Sequence, residues 1–312
     1  ISRRATGVRD RLSSQGFQRR GAQQSKRSEA VILQFTKMHG LGNDFVVIDL
    51  VTQSATLSEP LIKHIADRRR GVGFDQLLVI GPPTALDADF FYQIYNSDGS
   101  ESNQCGNGAR CVAKFIFDKQ LSCKKSLVLQ TQTGRMTTER VDRSWFRVDI
   151  GIPSFMPEAI PFEPKAGATA PFHCELEHLG HSPFGVVNLG NPHAVLLVNE
   201  LDSLDVSSAA RDFRAKTAFK EGVNVGFMEK SSSGTIKLRV DERGVGETSA
   251  CGSGACAAVA IGQDLAQLDE QVTVSMPGGK LEVSWKGPDQ SVWLSGPAEK
   301  VFDGKIKVNG QQ

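Results

Sequence analysis

Cys105-Gly-Asn-Gly-Ala and Cys251-Gly-Ser-Gly-Ala stand in opposite halves of a 312-residue chain, and each leads into an apolar run, at 112–117 and at 257–261. This pattern predicts a helix that begins directly after each cysteine. A helix N-terminus presents unpaired N–H groups and the positive end of the helix dipole. We therefore expect both thiols to be shifted towards thiolate.

The segments around the two motifs repeat one plan: strands, an Asn-bearing turn, more strands, the cysteine-led helix and closing strands. The repeat predicts an α/β (α+β) fold of two similar domains related by a pseudo-twofold axis. Each domain is expected to be a mixed or antiparallel sheet or barrel wrapped around its central helix. Strands are predicted at 31–35, 45–50, 76–80, 90–95, 126–131, 135–141, 145–150, 185–189, 194–198, 236–240, 281–285 and 292–294.

Two further helices and one boundary are predicted. Ser58 and Pro60 begin a helix that Arg68 to Arg70 close as a solvated end before Gly71, and another helix is expected near 205–216. The proline-rich stretch 153–171 is predicted to be extended and to start the second half.

Charge is distributed unevenly along the chain. The net charge is +1, but residues 1–30 carry seven Arg and one Lys against one Asp and one Glu, which leaves −5 for the rest. This Arg- and Ser-rich segment has few large apolar residues and is predicted to be a disordered tail. A transit peptide explains it best, while a cloning remnant and a nucleic-acid-binding arm stay open. The balanced total predicts no nucleic-acid partner, and without an apolar run of about 18 residues no membrane span is expected.

The cysteines and glycines do not match metal or nucleotide motifs. Six cysteines in a chain of this length do not form a disulfide scaffold, and the spacings 105–111 and 251–256 are not those of zinc pairs. Gly71-x-Gly73 and Gly244-x-Gly246 lack a full dinucleotide fingerprint, and no P-loop lysine follows either cysteine motif. We predict no metal and no bound nucleotide.

Two thiols at two helix N-termini suit the inversion of a carbon beside a carboxylate. The hydrogen there is weakly acidic, so its removal needs a base and stabilisation of the developing negative charge. The N–H groups near Gly106, Asn107, Gly252 and Ser253 supply the stabilisation. One thiolate and one thiol on opposite faces of the carbon then exchange a proton, and coupling between them keeps one protonated.

At these motifs the chain resembles the diaminopimelate epimerase family, which belongs to the two-cysteine amino-acid racemases that work without pyridoxal phosphate. The resemblance runs from about Leu33 onward, with Ser253 where threonine is common. The motifs that carry it are Gly42-Asn-Asp-Phe45, Gly73-Phe-Asp-Gln76, Asn96-x-Asp-Gly-Ser100, Cys105-Gly-Asn-Gly108, Gly190-Asn-Pro-His193, Glu242-Arg-Gly and Ala250-Cys-Gly-Ser-Gly254.

The resemblance implies a cofactor-independent epimerase with Cys105 and Cys251 as the acid–base pair. It places His193 near one cysteine and Glu242 near the other. Substrate contacts are implied for Asn43, Gln76, Asn96, Asn191, Asn224 and Arg243, beside Glu242 and the helix-start residues Gly106, Asn107, Gly252 and Ser253. Diaminopimelate is an amino acid at both ends, and Arg243 suits the carboxylate of the end that does not react.

The resemblance also implies the organisation of the protein. The last strand returns to the first domain, so the predicted domains are 31–150 with 297–312, and 151–296. A homodimer is expected. Lysine biosynthesis is the implied pathway, and together with the N-terminal segment it points to the plastid stroma.

Three alternatives stay open on the sequence. A proline or hydroxyproline racemase shares the two-cysteine scheme, although a one-ended cyclic substrate has no use for Arg243 and the amides. A non-catalytic binding protein on the same fold is the second. The third is a redox switch, because thiols that flank one carbon approach disulfide distance when the cleft is empty; activity unchanged by mild oxidation would exclude it.

Overall fold

A computed structural model describes residues 30–102, 105–156, 159–164 and 167–309. The tail predicted for 1–30 lies outside the described residues except for Ala30, which begins the first strand. In the described part of the chain, no helix has the length and apolar character needed to cross a bilayer.

The described chain forms 18 strands and four α-helices. The first half contains β1 (Ala30–Gly40), β2 (Asn43–Asp49), α1 (Glu59–Ala66), β3 (Gln76–Gly81), β4 (Phe90–Asn96), β5 (Glu101–Ser102), α2 (Gly106–Asp118), β6 (Ser126–Gln130), β7 (Arg135–Arg140) and β8 (Trp145–Gly151). The second half contains β9 (Phe172–Leu176), β10 (Gly180–Asn188), β11 (Pro192–Leu197), α3 (Val206–Lys216), β12 (Asn224–Ser232), β13 (Thr235–Glu242), β14 (Gly246–Thr248), α4 (Gly252–Ala266), β15 (Gln271–Met276), β16 (Gly279–Ser284), β17 (Val292–Pro297) and β18 (Glu299–Asn309).

Strand pairing follows the same order in both halves. In the first half, β1–β2 is antiparallel, β2–β3 parallel, β3–β4 and β4–β5 antiparallel, β4–β6 parallel, and β6–β7 and β7–β8 antiparallel. The second half repeats this series from β10 to β17. Helices α1 and α3 occupy equivalent crossovers, as do α2 and α4. The prediction of an α+β fold with two similar, internally repeated halves is confirmed.

The chain passes between the halves twice. After β8 it enters β9, which pairs with β10 of the second half, and after β17 it enters β18, which pairs with β1. A direct pairing of β8 with β17 also joins the halves. The division into domains at the predicted residue numbers stays a prediction, and the first half receives its last strand, β18, from the C-terminal end of the chain.

The helices α2 and α4 lie in the common core. Each contacts several strands of its own half, and the two helices contact each other. Their buried side chains belong to one apolar cluster that takes strands from both halves. Because α4 is alanine-rich and buried on nearly every face, it is a central helix rather than an amphipathic surface helix. Helices α1 and α3 pack in two separate outer clusters.

The structure corrects the end predicted for α1. The helix ends at Ala66, because the Asp67 carboxylate accepts hydrogen bonds from the backbone N–H groups of Arg69 and Arg70 and turns the chain. Arg68 is therefore not a solvated helix end. It reaches back to Asp44, with which it forms two hydrogen bonds of 2.9 and 2.7 Å.

Candidate active site

Each helix of the core begins at a cysteine that caps it. Cys105 has φ −148° and ψ 104°, and its Sγ accepts a hydrogen bond of 3.3 Å from the N–H of Gly108. Cys251 has φ −117° and ψ 108°, and its Sγ accepts one of 3.4 Å from Gly254. Both thiols thus take the N-cap position, where a side chain satisfies one of the unpaired N–H groups of the first turn. The predicted equivalence of the two motifs extends to individual hydrogen bonds.

The glycine three residues after each cysteine lies in a tightly packed position. A Cβ on Gly108 would stand 2.6 Å from Tyr92 Oη and 3.4 Å from Cys105 Sγ. A Cβ on Gly254 would stand 3.0 Å from Val240 Cγ2 and 3.2 Å from Cys251 Sγ. A side chain at position 108 would therefore clash with Tyr92, and one at position 254 would crowd Val240 and the Cys251 sulfur.

Two contacts place the two capped turns side by side. A Cβ on Gly106 or on Gly252 would meet the same Leu294 Cδ2, at 3.2 and 2.8 Å. In addition, Asn107 Nδ2 donates to the carbonyl of Ala250, the residue before Cys251, at 3.4 Å. The second residue of one helix therefore holds the backbone that leads into the other helix.

The surroundings raise the pKa of both thiols, contrary to the expectation of a thiolate. Burial raises the pKa of Cys105 to about 11, although the Gly108 N–H and the charge of Arg110 oppose it. Burial also raises the pKa of Cys251, and the negative charge of Glu242 adds to the shift. Loss of hydration thus outweighs the N–H groups of the helix. Both thiols are protonated at neutral pH in this structure.

His193 is a neutral, buried side chain next to Cys251. It is 1% exposed, and its Nε2 lies 3.0 Å from Asn191 Oδ1 and 3.0 Å from Ser253 Oγ. The Ser253 hydroxyl lies 3.6 Å from Cys251 Sγ and links the imidazole to the thiol. Burial lowers the pKa of His193 to about 3. The imidazole can exchange a hydrogen bond with Ser253 but does not supply a positive charge at neutral pH.

Glu242 interacts with both thiols. Its Oε1 accepts a hydrogen bond of 2.6 Å from Thr248 Oγ1, which fixes the carboxylate at the end of β13. Its charge raises the pKa of Cys105 as well as that of Cys251. The resemblance implies His193 near one cysteine and Glu242 near the other. His193 lies beside Cys251 through Ser253, and the negative charge of Glu242 raises the pKa of both thiols.

The amides predicted in the first half cluster at one end of β2, β3 and β4. Gln76 lies opposite Asn96 in the β3–β4 pair, and its Nε2 donates to Asn96 Oδ1 at 3.0 Å. Asn43 Nδ2 donates to Asp75 Oδ2 at 3.0 Å, and Asn43 Oδ1 accepts from Asn107 Nδ2 at 3.3 Å. The side chains of Asn43 and Asn107 are thus hydrogen-bonded to each other. Asn107 therefore offers a ligand its backbone N–H at the helix N-terminus rather than its side chain.

The polar residues predicted in the second half meet at the equivalent end of its sheet. Asn224 lies opposite His193 in the β11–β12 pair, and its Oδ1 accepts a hydrogen bond of 2.8 Å from the Arg243 backbone N–H. The Arg243 side chain is exposed, with one donor on the Glu221 carbonyl. It lies directly after Glu242, at the outer edge of the site.

Two residues of the site were not predicted from the sequence. They are Asp75, which binds Asn43 and Arg68, and the buried Arg110 near Cys105. Asp75 accepts from Asn43 and from Arg68, at 2.8 Å, and it occupies the third position of the quoted Gly73-Phe-Asp-Gln76 motif. Arg110 lies on the helix that follows Cys105, and unlike Lys114 on the same helix it is completely buried. Among the described residues, no three His, Cys, Asp or Glu side chains converge as metal ligands would.

The two repeated halves, each built around a cysteine-capped helix, are typical of one family of isomerases. The family model described as diaminopimelate epimerase matches residues 35–156 and 185–301. The chain belongs to the diaminopimelate epimerase family.

Solved structures with the same fold extend beyond that family. A phenazine biosynthesis protein of the PhzF family from Bacillus anthracis is 16% identical, with 88% of this chain and 99% of that one covered at a TM-score of 0.64. A hydroxyproline epimerase from Agrobacterium vitis is 14% identical, with 91% and 94% covered at 0.61. A methylitaconate-delta-isomerase is also 14% identical, with 90% and 97% covered at 0.62. At these identities the likeness shows the fold alone.

Proposed function

We propose that this protein converts LL-2,6-diaminopimelate to the meso isomer in lysine biosynthesis, without a cofactor, with Cys105 and Cys251 as its two acid–base groups. The observation that carries the proposal is the matched pair of thiols. Each thiol caps a central helix, and the negative charge of Glu242 raises the pKa of each. A single reactive thiol can remove and return a proton on one face only. Two thiols on opposite faces invert the carbon.

In the proposed reaction the positive α-ammonium group of the substrate promotes ionisation of one thiol. Both thiols are protonated before binding. The α-ammonium group that arrives beside one of them favours its thiolate, and the thiol proton passes to the Glu242 carboxylate or to water. The resulting thiolate removes the α-hydrogen, and the thiol on the far side donates its proton to the opposite face. Backbone N–H groups of Gly106, Asn107, Gly252 and Ser253 stabilise the charge that develops on the α-carboxylate. The thiolate and thiol exchange roles in the reverse direction.

The polar residues around the thiols support a substrate with two polar ends. Arg243 is exposed at the edge of the site, where its guanidinium suits the distal carboxylate. The first-half amides Asn43, Gln76 and Asn96 and the second-half Asn191 and Asn224 offer neutral partners for ammonium and carboxylate groups. A proline or hydroxyproline racemase has a one-ended substrate that leaves Arg243 unused, and for that reason we rank it second.

The deciding experiment follows label and configuration at the α-carbon. The protein is incubated with LL-diaminopimelate in deuterium oxide, and the products are resolved by chiral chromatography with mass detection. We expect the meso isomer to form with one solvent deuterium at the inverted carbon. Turnover of L-proline with none of diaminopimelate would replace the proposal with the racemase, and the absence of exchange on both would leave a binding protein.

Substitution of the thiols tests their roles against a matched control. Cys105→Ala or Cys251→Ala should lower epimerisation by at least about 10²–10⁴-fold, the typical contribution of a general acid or base. Cys123→Ala removes an exposed thiol and should leave the rate unchanged. Full activity of either Ala variant at 105 or 251 would contradict the two-thiol mechanism.

Two further expectations remain proposals of ours. We propose a homodimer, which light scattering during gel filtration tests by a mass of twice the chain. We also propose plastid import directed by residues 1–30, which lie almost wholly outside the described residues. A fluorescent protein fused behind residues 1–30 should enter plastids, and one that stays in the cytosol or enters mitochondria would contradict this.

A further inference from the structure

Arg110 is a completely buried arginine in the middle of the core. Its side chain is 0% exposed, on the turn of α2 that follows Cys105. It makes no ion pair with any carboxylate among the described residues, and its Nε and Nη1 have no hydrogen-bond partner there. Burial of an unpaired cation is costly and normally calls for compensation. The titratable groups that act on Arg110 are the thiols of Cys111, Cys105 and Cys256.

The one hydrogen bond of Arg110 settles the orientation of Asn107. Arg110 Nη2 donates to Asn107 Oδ1 at 2.9 Å. Because a guanidinium only donates, the oxygen of the amide must face it and the NH₂ group must face away. That NH₂ group then donates to the Ala250 carbonyl at 3.4 Å and to Asn43 Oδ1 at 3.3 Å. Arg110 thereby fixes the contact that joins the Cys105 turn to the backbone entering the Cys251 turn.

Arg110 also places a buried positive charge near the Cys105 thiol. The titratable and charged groups around Cys105 are Arg110 and Cys111 on α2, Tyr92 on β4 and Glu242 on β13. Of these, only Arg110 carries a positive charge, and it opposes the effects of burial and of Glu242. A proton that leaves Cys105 therefore leaves an anion in a site already holding a carboxylate, and Arg110 is the cation that offsets it.

We propose that Arg110 is a positioning residue for the two-thiol chemistry: through Asn107 it holds the Cys251 turn against the Cys105 turn, and its buried charge stabilises the thiolate when one forms. The catalytic role given to Arg110 in this inference rests on the proposed function. Its charge component is a property of the protein alone and is measurable without any substrate. Arg110 does not touch the reacting carbon and acts through Asn107 and Cys105.

The experiment compares Arg110→Met and Arg110→Lys with the unsubstituted protein. Iodoacetamide labelling rates of Cys105 are measured between pH 7 and pH 10 by peptide mass spectrometry. Below the pKa of about 11 the rate is proportional to the thiolate fraction, so a tenfold lower rate at a fixed pH means a midpoint one pH unit higher. Cys105 is partly exposed, and exposed Cys123 serves as the reference thiol in the same sample. We expect Arg110→Met to raise the Cys105 midpoint by about one pH unit or more, the usual effect of losing a nearby opposite charge. Lys114→Met, which removes a cation one turn further along α2, is the matched control and should leave the midpoint in place.

Arg110→Lys separates the two parts of the proposal. A lysine keeps the charge but is a point donor without the guanidinium fork, so it should hold the Cys105 midpoint while lowering kcat about tenfold or more, with little change in KM. If Arg110→Met does not fold, this variant alone decides. An unchanged midpoint in Arg110→Met, or full kcat in Arg110→Lys, would overturn the inference. A shifted midpoint in a protein that does not epimerise diaminopimelate would instead reject the proposed function and leave the charge effect intact.

Discussion

Acidification should destabilise this protein through His193. The imidazole is buried and neutral, with a pKa lowered from 6.5 to about 3 by burial. Because the folded-state pKa lies below the unfolded-state value, the unfolded chain binds the extra proton first, and stability is lost as the pH falls from 6.5 towards 3. At about 1.4 kcal/mol per pKa unit, the loss is about 2 kcal/mol at pH 5 and about 5 kcal/mol once both states are protonated. A loss of 2 kcal/mol is a large fraction of the stability of a typical domain.

The measurement is the free energy of unfolding in urea at pH 7.5 and pH 5 for the unsubstituted protein and His193→Gln. Glutamine keeps a hydrogen-bonding group near Ser253 but does not titrate, so the difference between the two proteins should shrink by about 2 kcal/mol at the lower pH. His64→Gln, at an exposed position of α1, controls for the loss of an imidazole as such. Equal pH dependence in the unsubstituted protein and His193→Gln would refute a buried neutral imidazole.

Two other predictions concern the capped turns. Gly254→Ala places a Cβ 3.0 Å from Val240 and 3.2 Å from the Cys251 sulfur. Despite the better helix propensity of alanine, it should lower stability by about 1–3 kcal/mol and activity more strongly, as thermal unfolding and turnover at saturating substrate will show. The raised pKa of Cys105, about 11 against 9.0, means that stability is lost as the pH rises from 9 towards 11. Between pH 8 and pH 10.5, Cys105→Ala should lose less stability in urea unfolding than the unsubstituted protein, in which Cys105 adds to the loss from the other buried thiols. An equal loss in both proteins would contradict the assigned burial.

Local patterns predicted the elements whose signals are short-range. The cysteine–glycine motifs correctly placed the starts of α2 and α4, and alternating apolar residues placed strands such as β13. Strand β12 was missed although it lies at the centre of its sheet. Its first five residues, Asn224 to Met228, are buried on both faces and show no alternation. Strand β9 was missed because proline and glycine punctuate the region that precedes it, and its pairing with β10 is a tertiary contact.

The candidate site was predictable in its residues but not in its electrostatics. The cysteine motifs brought Cys105 and Cys251 into consideration, and the resemblance to a known family added His193 and Glu242. In the structure His193 lies beside Cys251 through Ser253, and Glu242 acts on both thiols. The protonation state of the thiols depends on how much water the fold removes, which no pattern of neighbouring residues reveals. Arg110 was overlooked for the same reason, because the sequence does not show that its guanidinium is completely buried.

The return of β18 to the first half constrains how the protein is made. In the β1–β18 pair, Leu33 faces Ile306, so one edge of the first half has no partner until nearly three hundred residues have left the ribosome. Contacts between such distant residues form late and slow folding. Until then the backbone groups along one side of β1 are open to pairing with another nascent chain. Synthesis of this protein should therefore depend on chaperone cover more than synthesis of a tandem pair of self-contained barrels.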